Sequence, residues 1–224
     1  MNVAEAVTTR RSIRHFLDTP VDPAILRRVL ETARRAPSGG NLQPWHGVVL
    51  TGGPLAALIE AAQERVRMGA EGQEPEYDVY PPQLAEPYRG RRFGVGEAMY
   101  RALGIAHDNR MGRMLQFAHN FRAFDAPVLM LVHCPRFMGP PQWSDMGMWL
   151  MTVMLLLREE GLDSCPQEAW SVYGRTIRRQ LGIDDGHILF CGLAVGYRDP
   201  EHAVNNFEVA RAELDETVEW RGFD

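Results

Sequence analysis

The chain has no lysine. All 24 of its cationic side chains are arginine, set against 29 Asp and Glu for a net charge of -5. Schiff-base chemistry through a lysine amine is thereby excluded, and any anion must be met by guanidinium, a planar group that grips oxyanions in pairs of hydrogen bonds. The acidic balance argues against a nucleic-acid partner. Cysteine is scarce: Cys134, Cys165 and Cys191 are odd in number, far apart in sequence, and follow no signal peptide. A reducing, cytoplasmic setting is expected, with all three as small buried hydrophobes. No metal site is expected, since only His133 and Cys134 are adjacent and no second pair has ligand spacing. Long apolar runs are missing. The twelve residues from Met146 to Leu157 fall short of the ~20 that span a bilayer, so no membrane partner is expected. Gly94-Val95-Gly96 lacks the third glycine of a dinucleotide fingerprint and follows no strand. No phosphate loop and no Gly-x-Ser-x-Gly elbow occur, and nothing in sequence ties any of the seven histidines to a nucleophile.

What remains is organised around Arg10 to Trp45. Between a cationic segment, Arg10-Arg11-Ser12-Ile13-Arg14, and a polar loop, Pro37-Ser38-Gly39-Gly40-Asn41, lies a clear helix signal. Asp22 can cap it, Pro23 fits its first turn, and Ile25, Leu26, Val29, Leu30 and Ala33 form one apolar stripe. The 224 residues and an ordinary 45% hydrophobic content predict a single domain, residues 1–224. Strands are predicted at His46 to Thr51, Pro127 to His133 and His187 to Gly196, the last apolar on both faces and so central in its sheet. Helices are predicted at Asn2 to Arg10 (Val3, Ala6 and Val7 inward), Pro54 to Met68, Gly94 to Asn120, Ser144 to Glu160 and Ser171 to Leu181. The Ser144 helix is apolar all round and should be buried all round, in a core or an obligate interface. Prolines and scarce periodicity mark residues 69–124 as an insertion, a lid or pocket wall. The tail, residues 198–224, has large apolar residues but no stripe, and must lie on something else.

The Arg-x-Ser-x-Arg segment and the loop Pro37-Ser38-x-x-Asn41-x-Gln43-Pro44-Trp45 resemble the flavin-binding signature of the FMN-dependent nitroreductase family, of the nitrobenzoate-reducing type. Further matches follow in order, at Gly161 to Trp170 and from Phe190 to Tyr197. The resemblance implies an α+β fold with a mainly antiparallel sheet flanked by helices, and a homodimer whose tail is exchanged between subunits as an arm. It implies non-covalent FMN, NADH or NADPH as electron donor, and two-electron ping-pong reduction of a small nitroaromatic or quinone. Carried over residue by residue, Arg10 faces the FMN phosphate, with Arg11 and Ser12 beside it, and Arg14 faces the N1 and O2 edge of the ring. Pro37, Ser38, Gly39 and Asn41 reach the ring from the other subunit. Pro166, Gln167, Glu168 and Ala169 lie along it, with the backbone N–H of Glu168 toward N5. In the tail, where relatives carry more cations, Asn206 and Arg211 are the expected contacts, and Glu208 stands where a cation is expected. Trp45 reads as core packing. The same pattern leaves open a flavin-consuming benzimidazole synthase, a reductive dehalogenase, or a flavin-binding protein without catalysis.

Overall fold

The computed structural model describes residues 1–223. Its centre is one four-stranded antiparallel sheet in the order β1-β2-β4-β3, with β1 His46–Thr51, β2 Val128–Pro135, β3 Asp163–Gln167 and β4 His187–Gly196. The expected α+β architecture is therefore found, and β4 is central as its doubly apolar sequence requires. β3 was not foreseen as a strand. It holds an edge position, where Pro166 can sit without depriving a neighbour of a ladder hydrogen bond.

Helices cover both faces. On one side α2 (Pro23–Ala33) and α6 (Pro140–Glu159) pack on Val128, Met130, Val132, Leu193 and Val195. On the other, α3 (Gly52–Arg67) and α7 (Gly174–Leu181) enclose Leu129, Leu131, Leu189 and Ala194. These two sets alternate along β2 and β4, as strands buried on both faces require. Asp22 caps α2 through a 2.8 Å bond from Ala24 N–H, and α6 ends at Gly161, whose φ of +76° suits the residue after a helix. Trp45 stacks on Trp149 with centroids 5.8 Å apart, the packing role its sequence suggested.

Several boundaries differ from expectation. The first helix, α1 (Val3–Thr9), buries only Ala6; Val3 and Val7 are exposed. α6 is not enclosed all round, since Met148 is 40% exposed. The segment predicted as one helix over Gly94 to Asn120 is two, α4 (Tyr88–Ala102) and α5 (Arg110–Ala118), broken at Gly104, whose φ is +66°. Ser171 to Tyr173 belong to a 3₁₀ turn that precedes α7.

The insertion has an anchored base and an uncored body. Glu74 accepts from Thr176 Oγ1 at 2.8 Å and its N–H bonds Val172 O at 2.7 Å. The buried Glu76 carboxylate is gripped by Arg178 and Arg136 at 2.8 and 2.6 Å, which hold it below the usual carboxylate range against the opposing pull of burial. Tyr77 donates its hydroxyl to Phe190 O. From there to Asn120 no residue is buried, and α4 and α5 expose Phe93, Met111, Met114, Leu115 and Phe117. The tail behaves alike: Leu214, Val218, Trp220 and Phe223 are exposed.

Candidate functional site

Arg10 to Arg14 are set by β3 and by the return of the tail. Ser12 bridges Ser164 in parallel, and Ile13 N–H donates to Ser164 O at 3.1 Å. Ile13 is fully buried, so the extended backbone turns Ser12 and Arg14 to the opposite side. The tail is locked on by Asn205, a buried residue that the sequence reading passed over. Its Oδ1 accepts from Arg14 N–H at 2.9 Å, and its Nδ2 donates to His15 O and Asp199 O at 2.8 and 2.9 Å. Asn206 spends its amide on Pro200 O and His202 O, within its own turn. A buried carboxylate, Asp163, joins the same parts: it binds Arg158 of α6 at 2.8 Å and Arg198 of the tail at 2.7 Å.

The electrostatics of this region are one-sided. Arg10 Nε is buried without a hydrogen-bond partner among the described residues. Burial, and then the nearby Arg211 guanidinium, pull the Arg10 pKa below its ordinary value. Among the described residues no carboxylate acts on Arg10 to offset this, and Arg211 itself bonds only the carbonyls of Val209 and Ala210. Arg11 is exposed and reaches Phe207 O at 3.5 Å. Arg14 donates to Ser12 O at 3.1 Å and stands 6.0 Å from the Phe207 ring centroid. Behind them Cys165 is buried, and burial raises its pKa despite the two arginines, leaving a neutral thiol. Leaving a buried guanidinium N–H unpaired costs free energy that an oxyanion would recover. The cluster is thus suited to a phosphate.

β3 leads directly into Pro166-Gln167-Glu168-Ala169. Gln167 is buried and committed: Nε2 donates to Asn120 O at 2.9 Å and Oε1 accepts from Trp170 Nε1 at 3.2 Å. Trp170 lies against β4 at Gly192, where an added Cβ would come within 2.4 Å of its ring. Glu168 and Ala169 begin the 3₁₀ turn Glu168–Tyr173, pinned by Ser171 Oγ donating to Glu168 O at 2.8 Å. Burial pushes the Glu168 carboxyl above its ordinary range.

The loop after α2 is built elsewhere. Gly40, Asn41 and Gln43 are left-handed, with φ of +56°, +57° and +48°. Glycine and asparagine tolerate this; glutamine does so at a cost of ~1 kcal/mol or more. Ser38 Oγ accepts from Gln43 N–H at 3.0 Å, and the Gly39 N–H points between both oxygens of Asp145 at 3.3 and 3.2 Å. Asp145 is a buried carboxylate inside the apolar helix α6 and was also not foreseen. Pro37 and the Asn41 side chain face solvent. No hydrogen bond among the described residues joins this loop to Arg10–Arg14, to residues 166–169 or to the tail. The loop and the arginine cluster are thus two regions held by different contacts. Among the described residues no group of three His, Cys, Asp or Glu could hold a metal ion, and no helix is long and apolar enough to cross a membrane.

A model of the nitroreductase family matches residues 7–197. The chloronitrobenzene nitroreductase of Comamonas testosteroni is 34% identical over 214 residues, 96% of this chain and 94% of that protein. Among solved structures, the FMN- and NADPH-dependent nitroreductase NfnB of Sphigopyxis sp. strain HMH is 56% identical with a TM-score of 0.98, covering 100% of both chains. The FMN-dependent nitroreductase NfnB of Mycobacterium smegmatis, solved with NADPH, is 31% identical with a TM-score of 0.91, covering 98% of this chain and 100% of that one.

Proposed function

The chain belongs to the nitroreductase family, and from that premise we propose that it uses NADPH and FMN to reduce small nitroaromatic compounds, donor and oxidant taking the same place in turn. It is an FMN-dependent NAD(P)H nitroreductase. The other flavin chemistries of the fold, and a flavin carrier without catalysis, are not favoured, because the relatives that match nearly the whole chain at more than 30% identity are nitroreductases. Bound FMN supplies the two-electron exchange that no side chain here provides.

The chain's own residues do the rest. Arg10 and Arg211 would hold the phosphate, with Ser12 and Arg11 at its margin; the unpartnered Nε of Arg10 is the observation that carries this reading. Arg14 would face the ring edge where negative charge gathers on reduction, its backbone fixed by Asn205. Pro166, the Glu168 backbone N–H and Ala169 would line the ring, and the buried Gln167 side chain keeps that strand end in place. Pro37, Ser38, Gly39 and Asn41 would close over it from a second copy. Asn206 supports the tail turn that carries Arg211 past Arg10.

We infer a homodimer on the same grounds. The two half-sites do not meet within one chain, and the tail and insertion expose apolar side chains without a core of their own. The insertion, residues 69–124, would act as a lid; of the tail, residues 198–224, the part through Arg211 stays on its own chain and only the part beyond it would serve as an exchanged arm. A cytoplasmic setting accords with three buried free thiols. The test is spectroscopic. NADPH added anaerobically to the yellow protein should bleach it, and a nitroaromatic should then restore the colour, each nitro group taking the electrons of two reduced flavins on its way through nitroso to hydroxylamine. Bound flavin that neither nicotinamide nucleotide bleaches would overturn the reading.

A further inference from the structure

Inside the insertion, α4, α5 and the loop over residues 81–85 enclose an open cavity of about 830 Å³. That is far more room than a single nitroaromatic ring needs, and within the size range of sites for larger cofactors. Its charges are settled except for one. Arg113 is paired with Glu97, Nη2 to Oε2 at 3.0 Å, and Arg89 with Glu86 at 2.8 Å. Arg92 has no carboxylate and no hydrogen bond among the described residues. Instead its guanidinium carbon lies 3.9 Å from the centroid of the Tyr80 ring. Stacking of that kind fixes the plane of the guanidinium and leaves its N–H edge free for an oxyanion. Next to it, Phe93 is 59% exposed and lines the cavity, offering an aromatic face.

The cavity is lined by α4, the helix that also packs beside the arginine half-site. α4 packs on the 3₁₀ turn Ala203–Asn205, the turn whose Asn205 holds Arg14, and Arg91 bonds Glu216 of the tail at 3.0 Å. A nicotinamide dinucleotide engaged at that half-site must place its adenosine end somewhere nearby. We propose that the insertion cavity takes the adenosine 2′-phosphate end of NADPH, with Arg92 binding the phosphate and Phe93 stacking on the adenine. This rests on the nitroreductase reading and adds what that reading does not contain, the residue that separates NADPH from NADH. The fixed charge of Arg92, with no acid to neutralise it, favours the donor carrying the extra phosphate.

The experiment uses the FMN-loaded enzyme, with adenosine 2′,5′-bisphosphate and adenosine 5′-monophosphate as probes in calorimetric titration. The bisphosphate should bind about tenfold or more tightly than the monophosphate, as one charge-assisted contact allows. Arg92→Gln should abolish that difference and lower the NADPH-to-NADH ratio of kcat/KM by a similar factor, whereas Arg92→Lys should keep part of both. Arg101→Gln, on α4 but outside the cavity, should alter neither. Equal affinity of the two probes for the unmodified enzyme, or an Arg92→Gln enzyme that still separates them, would overturn the assignment while leaving nitroreduction intact. Flavin that neither nucleotide bleaches would remove the functional reading and this site with it.

Discussion

The two half-sites are built in opposite ways. The arginine half is cationic and depends on chain segments far apart in sequence: Arg10 to Arg14 lie on β3, and Asn205 closes over them from the tail. Its backbone is ordinary and its strain is electrostatic, stored in the partly buried Arg10 guanidinium, whose Nε has no partner among the described residues. The loop half is one short segment with no charged side chain of its own. Its strain is conformational, concentrated in the left-handed Gln43, and one buried carboxylate on α6 ties it down. On the proposed reading the first half would receive an anion and so select the phosphate end of a ligand. The second is held in shape by its own contacts, and on that reading would meet a flat surface at little entropic cost.

The largest expected effect comes from breaking the arginine half. Arg10→Ala should weaken FMN binding ~10- to 100-fold, the range of a lost charge-assisted contact, as read by flavin fluorescence during dialysis. Arg14→Ala should weaken retention less and lower the reduction potential of the flavin that remains. Unchanged loading in both variants would show that the unpaired guanidinium is not a phosphate site.

Next comes the sheet that bears both halves. The His46, His133 and His187 rings meet where β1, β2 and β4 lie side by side, with His133 and His187 Nδ1 atoms 2.8 Å apart. Burial, then His187 and His46, lower the His133 pKa to about 4. The unfolded chain therefore binds more protons than the folded one between about pH 6.5 and 4, and stability must fall as pH falls through that window. The loss should be on the order of 2–3 kcal/mol, measured by urea unfolding across that range, and His133→Gln should flatten it.

Smaller still is the effect of loosening the loop. Asp145→Ala removes the acceptor of Gly39 N–H, and should cost ~1–2 kcal/mol of stability and several-fold in FMN affinity. Asp145→Asn keeps an acceptor of the same size and should restore most of both. Least of all, Gln43→Gly relieves a left-handed φ and should stabilise the apo protein by ~0.5–1 kcal/mol in thermal unfolding.

The two halves were also unequally legible in the sequence. Arginine spacing and the glycine-hinged loop are local patterns, and strands such as β4 follow from continuous apolar runs. What fixes these parts in place is not local. Asp145 looks like a polar interruption of an apolar helix until the fold brings Gly39 to it from 106 residues away. Asn205 and Asn206 are identical neighbours in sequence; only the path of the tail decides that the first holds Arg14 and the second its own turn. β3 was hidden by Pro166, which an edge strand admits, and the break between α4 and α5 by a helical spacing that continues across Gly104.

The central claim is that one half-site from each of two copies makes a complete site. Mixing an Arg10→Ala chain with an Asp145→Ala chain tests it most directly. In a symmetric dimer the mixed species carries one site with both lesions and one with neither. After exchange of subunits at equal concentration, about a quarter of all sites should regain unmodified FMN affinity and turnover with NADPH. Mixtures that bind FMN no better than the average of the two separate variants would contradict the account, and would place both halves within a single chain.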